Sequence, residues 1–342
     1  MTALRMPVRS SEQDDGLRPV PWRRMAWVTW RQHRIALAGA GALLGVWAVY
    51  MWLEGVQIHH AYAAATACGP ASSLACGDSI DQFNFSYGDP ALTAAVLLQL
   101  APALIGAFTG APVLARELET GTFRYAWTQG FGRWRWALAK LFLLAIAVTV
   151  AAWALGLLFS WFFGPFFADG NQTPFTPELF DARGVDFAAW TLAAFAIGAL
   201  AGMLIRRVVP AIAATLAVWA GLALATALYL RYHYLAPLVI RTGNLPSSAW
   251  IYSQWWTKGG RFAFAGRPSN ELLMRICPSP GPYKAPQGYI SQCLAQHGYT
   301  QWISYQPGSR FWTFQWIEGG WLLALSVLLI AAAVWLVRRR AA

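Results

Sequence analysis

Hydrolytic or metal chemistry needs a few convergent polar groups, and the first candidates in this chain are the adjacent His59 and His60, shortly after Glu54. With the acids Asp78, Asp81 and Asp89 downstream, His59 would stand at the site of a membrane-bound enzyme acting, for instance, on a lipid-linked substrate. No H-E-x-x-H and no G-x-S-x-G accompanies the pair, and two adjacent loop histidines are more often solvated than catalytic. No G-x-x-x-x-G-K-[ST] occurs, so no Walker loop is available to cradle nucleotide phosphates, and no cofactor is implied. The four cysteines, Cys68, Cys76, Cys277 and Cys293, lack the C-x-x-C spacing of a metal site and suit disulfides instead. Local pairing, Cys68 with Cys76 and Cys277 with Cys293, is the simplest of the three connectivities; cross-loop pairing would staple two loops together.

The chemistry with more weight is electrostatic. Residues 116–140 form one charged, glycine-punctuated stretch between two long uncharged runs, with Arg116, Arg124, Arg133, Arg135, Lys140, Glu117 and Glu119. Glu117 and Glu119 can accept charge-assisted hydrogen bonds from a partner's Arg or Lys. Gly121 permits a sharp turn at the helix end, and the basic residues can meet a partner or lipid phosphates.

The elements that must position this stretch are membrane spans. Only 12% of the 342 residues are charged and 57% are hydrophobic, where a soluble domain carries about 25% charged residues. Six uncharged runs are long enough to cross a bilayer: 35–53, 91–115, 141–163, 187–205, 208–230 and 319–337. Backbone groups in lipid must bond within their own segment, so these are expected as helices. Nothing alternates with period two, which excludes a barrel. The expected fold is therefore all-α and integral to the membrane, with Pro102, Pro112 and Pro210 kinking or ending helices.

Charge sets the expected orientation. Seventeen Lys and Arg fall in the short segments that are inside if the N-terminus is inside, against Arg183 alone in the short outer loops. Both termini are then cytosolic, and all four cysteines fall outside, where disulfides persist. The net charge of +11 is thus absorbed by orientation, and no nucleic-acid motif is present. Residues 1–20 read as a disordered cytosolic tail. Residues 22–34 place Arg23, Arg24, Arg31 and Arg34 opposite Trp22, Met25, Ala26 and Trp30, the pattern of an interfacial helix on an anionic leaflet. The membrane domain covers 21–230. Residues 231–318, rich in Trp, Pro and Gly, are expected as a partly irregular extracytoplasmic subdomain between helices five and six, and 319–342 as the last span with a basic tail.

The spans so bounded hold no Asp, Glu, Lys, Arg or His in their interiors, so an ion gradient has no intramembrane group to act on. Any transport must draw its driving force from another chain. The mild walls suit a hydrophobic or amphipathic passenger. A membrane sensor that binds a ligand without moving it is the other non-enzymatic possibility.

The stretch A-R-E-L-E-T-G-T from Ala115 to Thr122, followed by Arg133 and Lys140, resembles the inner loop of ABC exporter permeases of the type-2 class. Six spans, inside termini, the basic aromatic helix before the first span and Y-Q-P-G-S-R-F-W-T-F-Q-W-I-E from Tyr305 to Glu318 are similar to actinobacterial members. The resemblance implies a permease in the bacterial cell membrane that pairs with a second permease subunit and with a separate ATP-binding cassette ATPase. It places the ATPase coupling on Glu117, Glu119, Gly121, Thr122, Arg124, Arg133 and Lys140. The long loop 231–318 departs from the shortest type-2 permeases.

Overall fold

The structure, a computed structural model, describes residues 22–68, 74–121, 133–170, 172–241, 245–246, 248–278 and 289–340. Six of its helices are long and apolar enough to cross a membrane, over Ala38–Thr66, Cys76–Thr120, Trp134–Phe162, Asp186–Ile205, Val208–His233 and Gly308–Arg339. All six coincide with the apolar runs of the sequence, but most extend beyond them. α1 is one helix from Trp22 to Thr66. The expected separate interfacial helix at 22–34 is therefore its first turns, since neither Gly nor Pro interrupts residues 22–38. Arg31 lies over the Trp27 ring in this part, 5.2 Å from its centroid. The tail 1–20 lies outside the described residues.

α2 (Leu74–Ile105) likewise starts well before the expected Ala91 and carries Pro90 and Pro102 without ending. A π turn at Gly106–Gly110 joins it to α3 (Ala111–Thr120). There the Ala111 N–H donates to the Gly106 carbonyl, just before Pro112 removes the next donor. The expected first outer loop is thus mostly helix, and Cys68–Cys76 closes the short connection between α1 and α2. α4 (Arg133–Phe162) follows, then two short helices, α5 (Gly164–Ala168) and α6 (Pro177–Phe180). α7 (Asp186–Ile205) and α8 (Val208–Ala225) meet at a tight turn where Arg206 has φ +59°. α8 continues as a π turn and a 3-10 turn to His233.

α7 is the central element. It is apolar all round and its buried residues cover every face, whereas α1 and α8 leave most side chains to the surroundings. Its close approach to the second span rests on small residues. Gly106 and Gly110 face the Ala194 and Phe195 carbonyls. A Cβ on the first would stand 2.5 Å from one carbonyl oxygen, and on the second 2.6 Å from the other. Gly198 and Gly202 return the fit, meeting the Gly106 and Ala111 carbonyls. Lipid supplies no hydrophobic drive between helices, so association depends on such packing.

Consecutive spans alternate in direction. Gly121, Arg133 and the turn at 206–207 therefore share one end of the bundle, and Thr66, Leu74, Phe163, Val185, Tyr234 and Pro307 share the other. At this second end, where irregular structure was expected, sits a four-stranded antiparallel sheet. Its strands β1 (Leu238–Arg241), β2 (Trp250–Lys258), β3 (Arg261–Ala265) and β4 (Tyr299–Gln306) lie in the order β1-β4-β2-β3. Gly259 and Gly260, both at positive φ, make the two-residue turn between β2 and β3. α9 (Asn270–Ile276) and α10 (Tyr289–Gln296) pack on it, with the Cys277–Cys293 disulfide against Trp256 and Leu294. Phe175, Phe180, Phe311 and Phe314 with Trp250 join this subdomain to the last span, α11 (Phe311–Arg340).

A Gly106→Val variant should lose about 1–3 kcal/mol, because the added side chain would run into the Ala194 backbone. Gly221→Ala, which opens into free space, should be neutral. Thermal unfolding of both variants in detergent reads the difference.

Candidate functional site

The E-x-E stretch sits where three spans converge. α3 stops at Thr120, and Gly121 caps it at φ +70°, a left-handed position glycine adopts without strain. Glu117 and Glu119, two residues apart, point to different neighbours. The Lys140 ammonium of α4 donates to Glu117 Oε1 at 2.7 Å, with Lys140 fully buried and its Nζ 5.2 Å from the Trp136 ring centre. Glu119 Oε2 accepts the Val208 N–H at 3.0 Å and so caps the first turn of α8. Glu117 thus ties α3 to α4, and Glu119 ties it to the α7–α8 turn. The fold itself uses one oxygen of each carboxylate, because buried Lys140 and an unpaired helix N-terminus both need an acceptor. Arg133 opens α4, and Thr122 and Arg124 lie outside the described residues.

The larger departure is at the opposite end. The spans bounded from sequence hold no ionisable residue, but the helices of the structure are longer, and Asp186, Arg231 and Glu318 are fully buried in them. Each stands next to an apolar run of the sequence, just outside the expected span. Arg231 Nε donates to Glu318 Oε2 at 3.0 Å and Nη2 to Glu318 Oε1 at 2.7 Å, a bidentate pair. The same Nη2 donates to Asp181 Oδ1. Phe180 lies under the guanidinium, 4.2 Å away. Trp190 Nε1 of α7 also donates to Glu318 Oε1, at 3.0 Å. Gln315 Oε1, one helical turn before Glu318, accepts the Val185 and Asp186 N–H groups at 2.9 and 3.2 Å, and Gln315 Nε2 donates to the Phe180 carbonyl at 3.0 Å. The 163–185 link, α7, α8 and α11 are thereby locked together by one polar network.

Asp186 is the odd member. Its carboxylate lies within 4.8 Å of those of Asp181 and Glu318, and neither of its oxygens has a hydrogen-bond partner among the described residues. The Gly319 N–H approaches it without reaching hydrogen-bond geometry. Its place at a helix N-terminus favours negative charge by about 0.3–1 kcal/mol, up to about 2 in partly buried settings. Burial of an unpaired ion costs several kcal/mol, so the dipole does not offset it. Asp181, outside the spans, has its carboxyl pushed up to about 7, first by burial and further by Glu318, with Arg231 pulling the other way. Arg183 packs over the rings of Phe167 and Phe311, and burial lowers its guanidinium to about 10.

His59 and His60 lie on α1, not in a loop, and His59 stacks on Trp161 with Nε2 2.9 Å from the Trp161 carbonyl oxygen. Neither His59 nor Asp78, Asp81 or Asp89 belongs to a described group of side chains close enough to share a metal ion. The four cysteines form the two local disulfides. Between α1 and α2 runs an apolar groove of about 570 Å³, lined by Leu43, Trp47, Leu97, Leu104 and Phe108 among others, which can take a hydrophobic chain but has few polar groups to orient one.

A protein-family model described as ABC-2 membrane transporter related matches residues 41–231, more than half of the chain. No curated protein and no solved structure matches. The matched region spans the glycine crossing, the E-x-E stretch and three of the four residues of the buried cluster.

Glu117→Ala should destabilise the fold by about 3–5 kcal/mol, because it leaves Lys140 buried and unpaired. Adding Lys140→Met should restore most of the loss. A double-mutant cycle on unfolding midpoints measures the coupling.

Proposed function

The chain belongs to the ABC-2 membrane transporter related family, and from that premise we propose that it is the permease subunit of an ATP-driven exporter. It is a multi-pass membrane protein of a transporter class that is not itself catalytic, and permeases of this class work with ATP-binding subunits. We place it in the bacterial plasma membrane with both termini cytosolic. The subdomain of 231–318 then stands on the outer face, and residues 116–140 stand on the cytosolic face.

The observation that carries this reading is the convergence at the E-x-E stretch. An ATPase that pushes on 116–140 meets a link whose two ends are already tied to the rest of the bundle. Glu117 passes displacement to α4 through Lys140, and Glu119 passes it to the start of α8. Gly121, Thr122, Arg124 and Arg133 are the positions through which the partner makes contact, either directly or by shaping the link. Two permease subunits and two ATPases complete the assembly. ATP binding has to favour one arrangement of the spans over another, since coupling is a difference in free energy between states. The passenger is hydrophobic or amphipathic, such as a drug, an antibiotic or a lipid-like compound, and the α1–α2 groove offers it an apolar surface.

Purification of the intact chain from its native membranes should bring an ATP-binding subunit with it. Arg124→Glu with Glu119→Gln, which spares the buried Glu117–Lys140 pair, should lower stimulated ATP hydrolysis at least about tenfold, or about 1.4 kcal/mol of coupling. Wild-type hydrolysis in that variant counts against the assignment. Orientation has its own check. A cysteine at Gln129 should escape a membrane-impermeant label in whole cells, while one at Ser291 should react.

A further inference from the structure

The buried cluster holds more negative charge than its one engaged cation balances. From the 163–185 link comes Asp181, from α7 Asp186, from the end of α8 Arg231 and from α11 Glu318. Nearby Tyr234 accepts from Trp321 Nε1 at 2.9 Å, and Arg183 is engaged with the rings of Phe167 and Phe311. Arg231 Nε and Nη2 donate to Glu318 and Asp181, Arg231 Nη1 has no hydrogen-bond partner among the described residues, and Trp190 also donates to Glu318. Asp186 is left fully buried with neither oxygen bonded among the described residues.

We propose that this cluster is a proton-binding site in which Asp186 holds a proton in the folded state and exchanges it with water through Asp181. Asp181 is the member that reaches the surface, with 24% of its side chain exposed against 0% for Glu318 and 1% for Arg231. Its own raised titration, near neutrality, suits it to pass a proton between solvent and Asp186. A divalent cation is the competing occupant of three close carboxylates. It is disfavoured because the Arg231 guanidinium already occupies two of the three, and hard cations require six or more oxygens. Loss of the proton leaves Asp186 facing Asp181 and Glu318 as like charges. That repulsion acts between the start of α7 and the start of α11, where the sheet subdomain joins the bundle. The pH on that face thereby biases how tightly the subdomain seats. The inference does not depend on the ATPase partnership.

The test uses the intact chain in lipid nanodiscs. The infrared spectrum at about pH 7 should contain the carbonyl stretch of a protonated, buried carboxyl, and Asp186→Asn should remove it. Isotope labelling of aspartate carboxyls in the native chain should shift the same band, which keeps the test valid if the variant folds poorly. The folded state holds a proton that the unfolded state releases at neutral pH, so stability should fall as pH rises above the ordinary carboxylate range toward and past neutrality. In Asp186→Asn that fall should shrink to less than about half. The proposal is overturned if no aspartate band of this kind exists at pH 7. It is also overturned if the melting midpoint ignores pH but rises with added Mg2+ or Ca2+.

Discussion

The arrangement of this protein depends on how closely two helices approach. Where the second span meets α7, glycines on each side let backbone meet backbone, and a single added methyl on either would collide with a carbonyl. In lipid this contact has no hydrophobic drive behind it, so shape has to supply the attraction. The crossing makes α7 the axis of the bundle. The π turn lies at the same place, which puts an irregular, adjustable stretch of backbone at the point of tightest packing.

Two polar networks stand at the two ends of that axis, and they differ in kind. At the end with 116–140, Glu117 neutralises a buried lysine and Glu119 caps a helix, so each carboxylate has one defined partner. At the other end the acids outnumber their partners. Arg231 joins elements from several parts of the chain, and Asp186 has no hydrogen bond to its carboxylate among the described residues. A paired carboxylate fixes its two elements to each other, whereas an unpaired buried one adds cost without a tie.

The sheet subdomain shows how such a chain keeps an ordered domain without a large core. Its sheet buries one face around Trp256 and a disulfide, and its aromatic side reaches the bundle through Trp250 and four phenylalanines. The sheet is therefore continuous in packing with α11, so a shift at its base is felt at Glu318 and Gln315.

Much of this is legible from composition alone. Uncharged runs about 20 residues long must be helices in lipid because no water is present to satisfy the backbone, so the number and order of spans follow directly. The turn after E-x-E is legible too, since it depends on neighbours in sequence, whereas the cysteines allowed three connectivities and only the fold selects the two local pairs. The hairpin is written in the Gly259–Gly260 pair between two aromatic runs, but the prolines and glycines around it favour an expectation of irregular structure. The buried charges escape a sequence reading for a specific reason. Asp186, Arg231 and Glu318 each border an apolar run, and an edge charge is ordinarily wet. The alternation of spans puts all three at one end, but only packing decides whether that end is open to water. Here it is closed by Phe180, Trp190 and the link from 163 to 185, which come together only in the folded chain. Likewise, nothing in E-L-E states which helix each glutamate faces, because that depends on the crossing at the glycines. Sequence determined what must lie in the membrane; tertiary contact decided which charges lost their water.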